Sequence, residues 1–245
     1  MVLLLASITP VMIFLYLINK RDKVKEPKAL LGKCFAGGFI SVVLALSIEL
    51  PMEHLTAKFN DPLLKSFFGA FIGAAAPEEI SKFIILYWIV WKSKYFSHYY
   101  DGIIYAVFVS MGFALIENIL YVMDGGFSVA LLRAVLAVPG HGFFAVLMGY
   151  QLSMAKFHAG VKRRNYILKA IFIPILFHGL YDFSIMYISN GSRNTILALA
   201  LMVFFTFLVI RLWRMGIKKI RLYVKMDEEN MVTVPQNVNE GDVMP

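Results

Sequence analysis

The sequence predicts an all-α protein of the membrane, a polytopic transmembrane helical bundle of about seven spans, with the N-terminus outside and the C-terminus cytoplasmic. Three observations carry that reading. The 245 residues are 59% hydrophobic with a mean hydropathy of +0.69, well above the roughly 45–50% apolar usage of soluble domains. The apolar residues are gathered in blocks near the ~20 residues that cross a hydrocarbon core. The basic residues collect in alternate loops, and that asymmetry orients the blocks.

In chain order the blocks cover about 2–19, 30–50, 63–91, 102–123, 127–155, 166–189 and 195–215. Each is read as a helix, because backbone groups in lipid must be satisfied within their own segment, and none alternates like a barrel strand. The first is read as a retained span. Met1 to Ser7 carry no side-chain charge, and the basic cluster Lys20, Arg21, Lys23, Lys25 and Lys28 follows the apolar run, the reverse of a signal peptide. The third and fifth blocks exceed what a span needs, which predicts tilt or a break. Pro77 and Pro139 lie inside them, and the Gly69–Gly73 and Gly140–Gly142 stretches predict close helix approach.

Of the 24 Lys and Arg, 19 fall at 20–33, 92–94, 156–169 and 211–225, all on one side of this topology. Lys58, Lys65 and Arg193 fall on the other, while Lys82 and Arg133 lie within spans. The bias places the tail in the cytoplasm; the expected location is the plasma membrane of a bacterium. The net charge of +8 is then a topological signal that also faces anionic lipid; it predicts no nucleic-acid partner. Residues 1–225 form the bundle. In 226–245, Asp227, Glu228, Glu229, Glu240 and Asp242 stand among polar residues without apolar periodicity, which predicts a disordered acidic cytoplasmic tail. The single cysteine, Cys34, excludes an internal disulfide and reads as a small buried residue.

Charged groups at membrane depth are costly, so they are functional hypotheses by default. Eight lie well inside the blocks: Glu78, Glu79, Lys82, Glu117, Arg133, His141, His178 and Asp182. They come from the third to the sixth helix at compatible depths. Glu78 and Lys82 are i,i+4 and predict an ion pair, with Glu79 turned ~100° further round. Phe113 and Glu117 are also i,i+4, with Asn118 beside the carboxylate. His178 and Asp182 repeat the spacing, so the Asp can orient the His. Four carboxylates oppose two fixed cations, so the group should hold extra protons on a carboxyl or an imidazole. A carboxylate of that kind beside an imidazole can take a proton from water and return it to a leaving group, as general acid–base hydrolysis requires. Arg133 reads as structural or as snorkelling toward the outer surface.

Three motifs in order on successive helices, Glu78-Glu79-x-x-Lys82, Phe113-x-x-x-Glu117 with Asn118, and His178-x-x-x-Asp182, resemble the PrsW family of intramembrane proteases. The block at His141 is similar too. The motif plan is also similar to that of the type II CAAX prenyl endopeptidases and their bacteriocin-processing relatives, which usually carry Arg and His where this chain has Lys82 and Glu117. The resemblance covers a core of about 63–190 and implies peptide-bond hydrolysis in or beside the membrane. Glu79 or Glu78 would activate water, helped by His178; Glu117, Asp182 and His141 would complete the site, Lys82 would neutralise the pair, and Phe113 and Asn118 would support it. The implied substrate is a single-pass membrane regulator such as an anti-sigma factor, cut first on its extracytoplasmic side.

The expected mechanism needs no cofactor and no metal. Three rivals use the same residues. His141, His178, Glu79, Glu117 and Asp182 could ligate zinc, although His-Glu-x-x-His is absent. Intramembrane carboxylates and histidines also build proton-coupled transporters, although no inverted repeat is evident. A non-catalytic member could bind membrane segments without cutting them.

Overall fold

The computed structural model describes residues 1–189 and 194–233. Its helices are α1 (Val2–Arg21), α2 (Lys28–Thr56), α3 (Pro62–Phe68), α4 (Ala76–Val90), α5 (Tyr99–Val135), α6 (Ala137–Lys156), α7 (Gly160–Ser189) and α8 (Thr195–Thr233). No strand occurs among the described residues. Five stretches are long and apolar enough to cross a membrane: Val2–Arg21, Lys28–Thr56, Tyr99–Lys156, Gly160–Ser189 and Thr195–Glu229. The outward surface is apolar, with Trp88 and Val203 among the most exposed side chains, as a bundle facing hydrocarbon requires.

The two long blocks break where their residues weaken the helix. Asp61 caps α3 by accepting the Leu64 N–H at 2.9 Å, and Pro62 takes the first turn, where no N–H is needed. A π-helical turn, Gly69–Ala75, then joins α3 to α4. Pro77, in the first turn of α4, lacks the N–H that would close the ordinary ladder behind it, and wider π turns recur at functional sites. The expected third span is therefore three consecutive helical pieces. In α5 the break is Gly126, at φ 73° and ψ −160°, a conformation open to glycine because it has no Cβ. Residues 127–135 fold back from it as a returning arm, and a second bend at Leu136 leads into α6.

Close packing falls at different glycines from those the sequence suggested. A Cβ on Gly38 would stand 2.2 Å from the Val109 carbonyl oxygen, and one on Gly112 would stand 2.0 Å from that of Phe35. Gly102 and Gly149 meet in the same way between α5 and α6. Backbones touch at these crossings, as small residues allow in membranes. Gly69, Gly73 and Gly140 have ordinary space around them, and Gly142 meets a side chain, the Phe14 ring.

At the α1–α2 end of the bundle, α8 takes in the first residues of the stretch assigned to the tail. Asp227 is buried and accepts the N–H groups of Tyr99 and Tyr100 at 2.9 and 2.8 Å. It caps α5 from the far end of the chain. The remainder of the expected tail, 234–245, and its Glu240 and Asp242 lie outside the described residues.

Candidate active site

The first turn of α4 brings three charges together. Lys82 is 1% exposed; its Nζ donates to Glu78 Oε2 at 2.8 Å and to Glu79 Oε1 at 2.9 Å. The sequence predicted one pair and a turned-away Glu79. Instead a single ammonium serves both, because i+3 and i+4 neighbours lie equally within reach of a long side chain. The ammonium also lies 4.0 Å from the Phe113 ring centroid, so the Phe of the α5 motif acts as a cation–π floor. Removing the cation from such a buried group costs about 3–5 kcal/mol.

Two histidines are each held by carboxylates from other turns or helices. His178 faces Glu79 Oε1 through Nδ1 at 2.9 Å and Asp182 Oδ2 through Nε2 at 3.1 Å, so the ring is fixed at both ends. Phe144 stacks on it with centroids 4.8 Å apart. His141 has Glu117 Oε2 at 2.7 Å from Nε2 and the Lys82 ammonium at 3.3 Å from Nδ1. Ammonium can only donate, so Nδ1 accepts and Nε2–H donates to Glu117. Ser110 donates to the His141 carbonyl oxygen at 3.0 Å and fixes the start of α6.

Glu117 has a second partner, the Arg133 guanidinium at 3.1 Å, while Arg133 Nε donates to Asn118 Oδ1 at 2.7 Å. Arg133 therefore turns inward onto the site and does not snorkel. The fold-back at Gly126 makes this possible, since it returns residue 133 to the level of 117. Asn118 Nδ2 in turn donates to the Ser7 carbonyl oxygen at 2.7 Å, which ties α1 to the support of the site.

All nine expected residues, Glu78, Glu79, Lys82, Phe113, Glu117, Asn118, His141, His178 and Asp182, are thus joined in one network of contacts. The two glutamates differ in access. Glu78 lines a cavity of about 570 Å³ together with Glu117, Arg133, His141, His178 and Asp182. Glu79 and Lys82 do not line it; they sit behind Glu78. A larger cavity of about 670 Å³, between α1, the returning arm, α6 and α8, is apolar except for Thr9 and Arg21 and offers no acid–base pair. One residue near the site was missed by the sequence reading: Glu49 of α2, which faces Glu78 and Glu117 across a further cavity. The same test of an ionisable group inside an apolar block would have found it.

Glu78, His141 and His178 each offer one ligand atom, all within 4.8 Å of one another. Two imidazoles and a carboxylate form a donor set suited to catalytic zinc, so the residues present fit a metal ion. The Lys82 ammonium beside Glu78 and His141 is the cation with which it would share the Glu78 carboxylate.

A family profile described as PrsW family intramembrane metalloprotease matches residues 26–210, more of the chain than the motifs alone covered. A protein named Protease PrsW in Clostridioides difficile (strain 630) is 36% identical over 231 residues, covering 91% of each chain. Its namesake in Bacillus subtilis (strain 168) is 33% identical over 221 residues, 90% of this chain and 92% of that one. Another, in Oceanobacillus iheyensis, is 37% identical over 181 residues, covering 74% and 81%. No solved structure matches. With the motifs, the clustered site and these matches in agreement, the chain belongs to the PrsW family of intramembrane proteases.

Proposed function

We propose that this chain is a glutamate-dependent intramembrane endopeptidase of the bacterial plasma membrane that makes the first, extracytoplasmic-side cut in a single-pass regulator such as an anti-sigma factor. The observation that carries the reading is Glu78: a carboxylate on the cavity wall with the imidazoles of His141 and His178 within 4.8 Å. Lys82 engages Oε2, which assigns the proton of the attacking water to Oε1. The water oxygen bonds to the scissile carbonyl carbon, and the Arg133 guanidinium on the cavity wall supplies positive charge for the carbonyl oxygen as it becomes anionic. The C–N bond then breaks, and Glu78 returns its proton to the leaving amine. Glu79 keeps Lys82 and His178 in place from behind.

The side of the cut follows from depth and from charge. Glu117 and Asp182 lie toward the end of the bundle that carries the α2–α3 turn, and the basic residues collect at the other end. The positive-inside rule then puts the α2–α3 end, and the N-terminus, outside. A helical substrate hides its carbonyls in its own hydrogen bonds, so the cut falls in the outer juxtamembrane stretch or first turn, where Gly, Ser or Ala leave the helix weak. The test is reconstitution of the purified protein with a single-pass substrate and mass spectrometry of the products. Fragments ending near the outer boundary are expected; a cut at the cytoplasmic end would overturn the reading.

A second reading is favoured by the Glu78, His141 and His178 group itself. Those three residues would hold zinc, which when bound supplies a Lewis acid and a readily ionised water. Asp182 and Glu117 would orient the two imidazoles from behind, and Glu117, on the cavity wall, would accept the proton. Metal content separates the two. The first reading expects sub-stoichiometric zinc and activity that survives prolonged chelation; one metal per chain, with activity lost on stripping and restored by zinc, selects the second.

A further inference from the structure

Two cavities meet at one wall. The cavity of about 570 Å³ and a second of about 460 Å³ share Glu78, Glu117, Tyr121, Ala74 and Met186. Their remaining walls differ in chemistry. The first runs between α7, α8 and the returning arm of α5, and beyond the catalytic cluster it is lined mainly by apolar side chains such as Leu132, Leu136, Ile185 and Phe205. The second lies between α2, the π-helical turn and α5, and carries Glu49, Glu53, Thr56 and Lys65. Glu49, Glu53 and Thr56 follow one another at i, i+4 and i+7, a polar stripe on one face of the helix. The stripe leads from Glu78 to the residues that flank the α2–α3 turn.

Glu49 is the informative member. Its Oε1 is buried and has no hydrogen-bond partner among the described residues. A carboxyl oxygen in that state inside a membrane protein costs several kcal/mol unless water reaches it, and the chamber beside it is walled in part by charged side chains and has room for many waters. Hydrolysis meanwhile consumes one water per turnover. A peptide seated in the apolar cavity covers Glu78 from that side, so water needs another approach to the same carboxylate.

We propose that the Glu49 chamber is a hydrated antechamber that delivers the hydrolytic water to Glu78 from the α2–α3 end, behind the bound peptide, and that Glu49 is a positioning residue for that water. This rests on the hydrolytic reading above. No net proton is needed from the chamber, since the proton taken from water leaves with the amine; the co-reactant it supplies is water alone. Glu49→Gln keeps two hydrogen-bonding groups of the same size and should retain turnover within a few-fold. Glu49→Leu dries the passage and should lower kcat about tenfold or more with KM unchanged, with kcat counted per folded molecule because a loss of folded protein would lower the apparent kcat in the same way. Gly73→Leu, which extends into the chamber from a wall with ordinary space around it, should act in the same direction.

A measurement independent of turnover completes the test. Cys34 is buried, so a Glu49→Cys variant carries one accessible thiol. In a Glu78→Gln background it should react with a small charged methanethiosulfonate, and saturating substrate peptide should leave that rate unchanged. An Ile185→Cys variant, in the apolar cavity, should be protected by the same peptide. An unreactive thiol at position 49 overturns the antechamber whether or not the chain cuts peptides. Wild-type kcat in Glu49→Leu, with Glu78→Gln inactive, overturns it while leaving the proposed function standing.

Discussion

The bundle holds two groups of inward-facing carboxylates, and they are built differently. At mid-bundle, Glu78, Glu79, Glu117 and Asp182 are paired with Lys82, Arg133 and two imidazoles drawn from other turns and helices, and most of them border a cavity. At the α1–α2 end, Asp22, Glu26, Asp101 and Asp227 are buried, yet their hydrogen bonds come from backbone N–H groups and a tyrosine hydroxyl, and the one imidazole nearby, His98, stands 3.8 Å from Asp101. Asp101 accepts from Ser97 and His98 at 2.8 and 2.6 Å, Asp227 from Tyr99 and Tyr100, and Glu26 from Tyr105. Neither the 570 Å³ nor the 460 Å³ cavity reaches this end. Burial of charge therefore does not by itself mark a site. Mobile-proton partners and a space for substrate do; saturated caps mark a joint.

The comparison can be broken most sharply at Glu78. Glu78→Gln should leave a folded protein whose hydrolysis falls by about a thousandfold or more, because the amide cannot accept the proton. Cleavage of a reconstituted substrate at the wild-type rate would remove the carboxylate mechanism. Glu79→Gln should cost less, about ten- to a hundredfold in kcat, since Glu79 acts through Lys82 and His178. Equal losses at the two positions would show that standing on the cavity wall is not what distinguishes them.

At the other end the expected losses are of stability. Asp227→Ala removes a helix cap and should cost about 1 kcal/mol, read as a lower unfolding temperature in detergent with kcat per folded molecule unchanged. A comparable fall in kcat would erase the contrast. The smallest effect concerns pH. Burial pushes the Asp22 carboxyl up from its ordinary 3.8 and that of Glu26 up from 4.5, the latter against the Tyr105 hydrogen bond. The folded state thus holds these protons more tightly than the unfolded one, and the associated stability is lost as pH rises through the raised values. Amide exchange in the first turn of α5 should become faster, beyond the intrinsic trend, as pH rises above 4.5; slower exchange would contradict it.

Much of this site was legible in the sequence because its information is local. Apolar block lengths report helices, and an ionisable residue inside a block reports itself. The i,i+4 spacings gave the His178–Asp182 contact and half of the Lys82 arrangement. What stayed hidden depends on tertiary placement. Arg133 looked peripheral because nothing in its own helix shows that Gly126 turns the chain back. Asp227, beside Glu228 and Glu229, has the composition of a solvated tail, and its partners lie 127 and 128 residues earlier. The glycine crossings depend on which helices meet, which periodicity does not specify.

That last cap has a consequence for the order of events during synthesis. Tyr99 and Tyr100 are made early, but the carboxylate that takes their N–H groups belongs to the far part of α8. Until α6, α7 and most of α8 have been translated, the first turn of α5 must leave those groups to water. The α1–α2 end of the bundle therefore closes late, and the helices that hold the candidate active site are laid down before the joint that locks them.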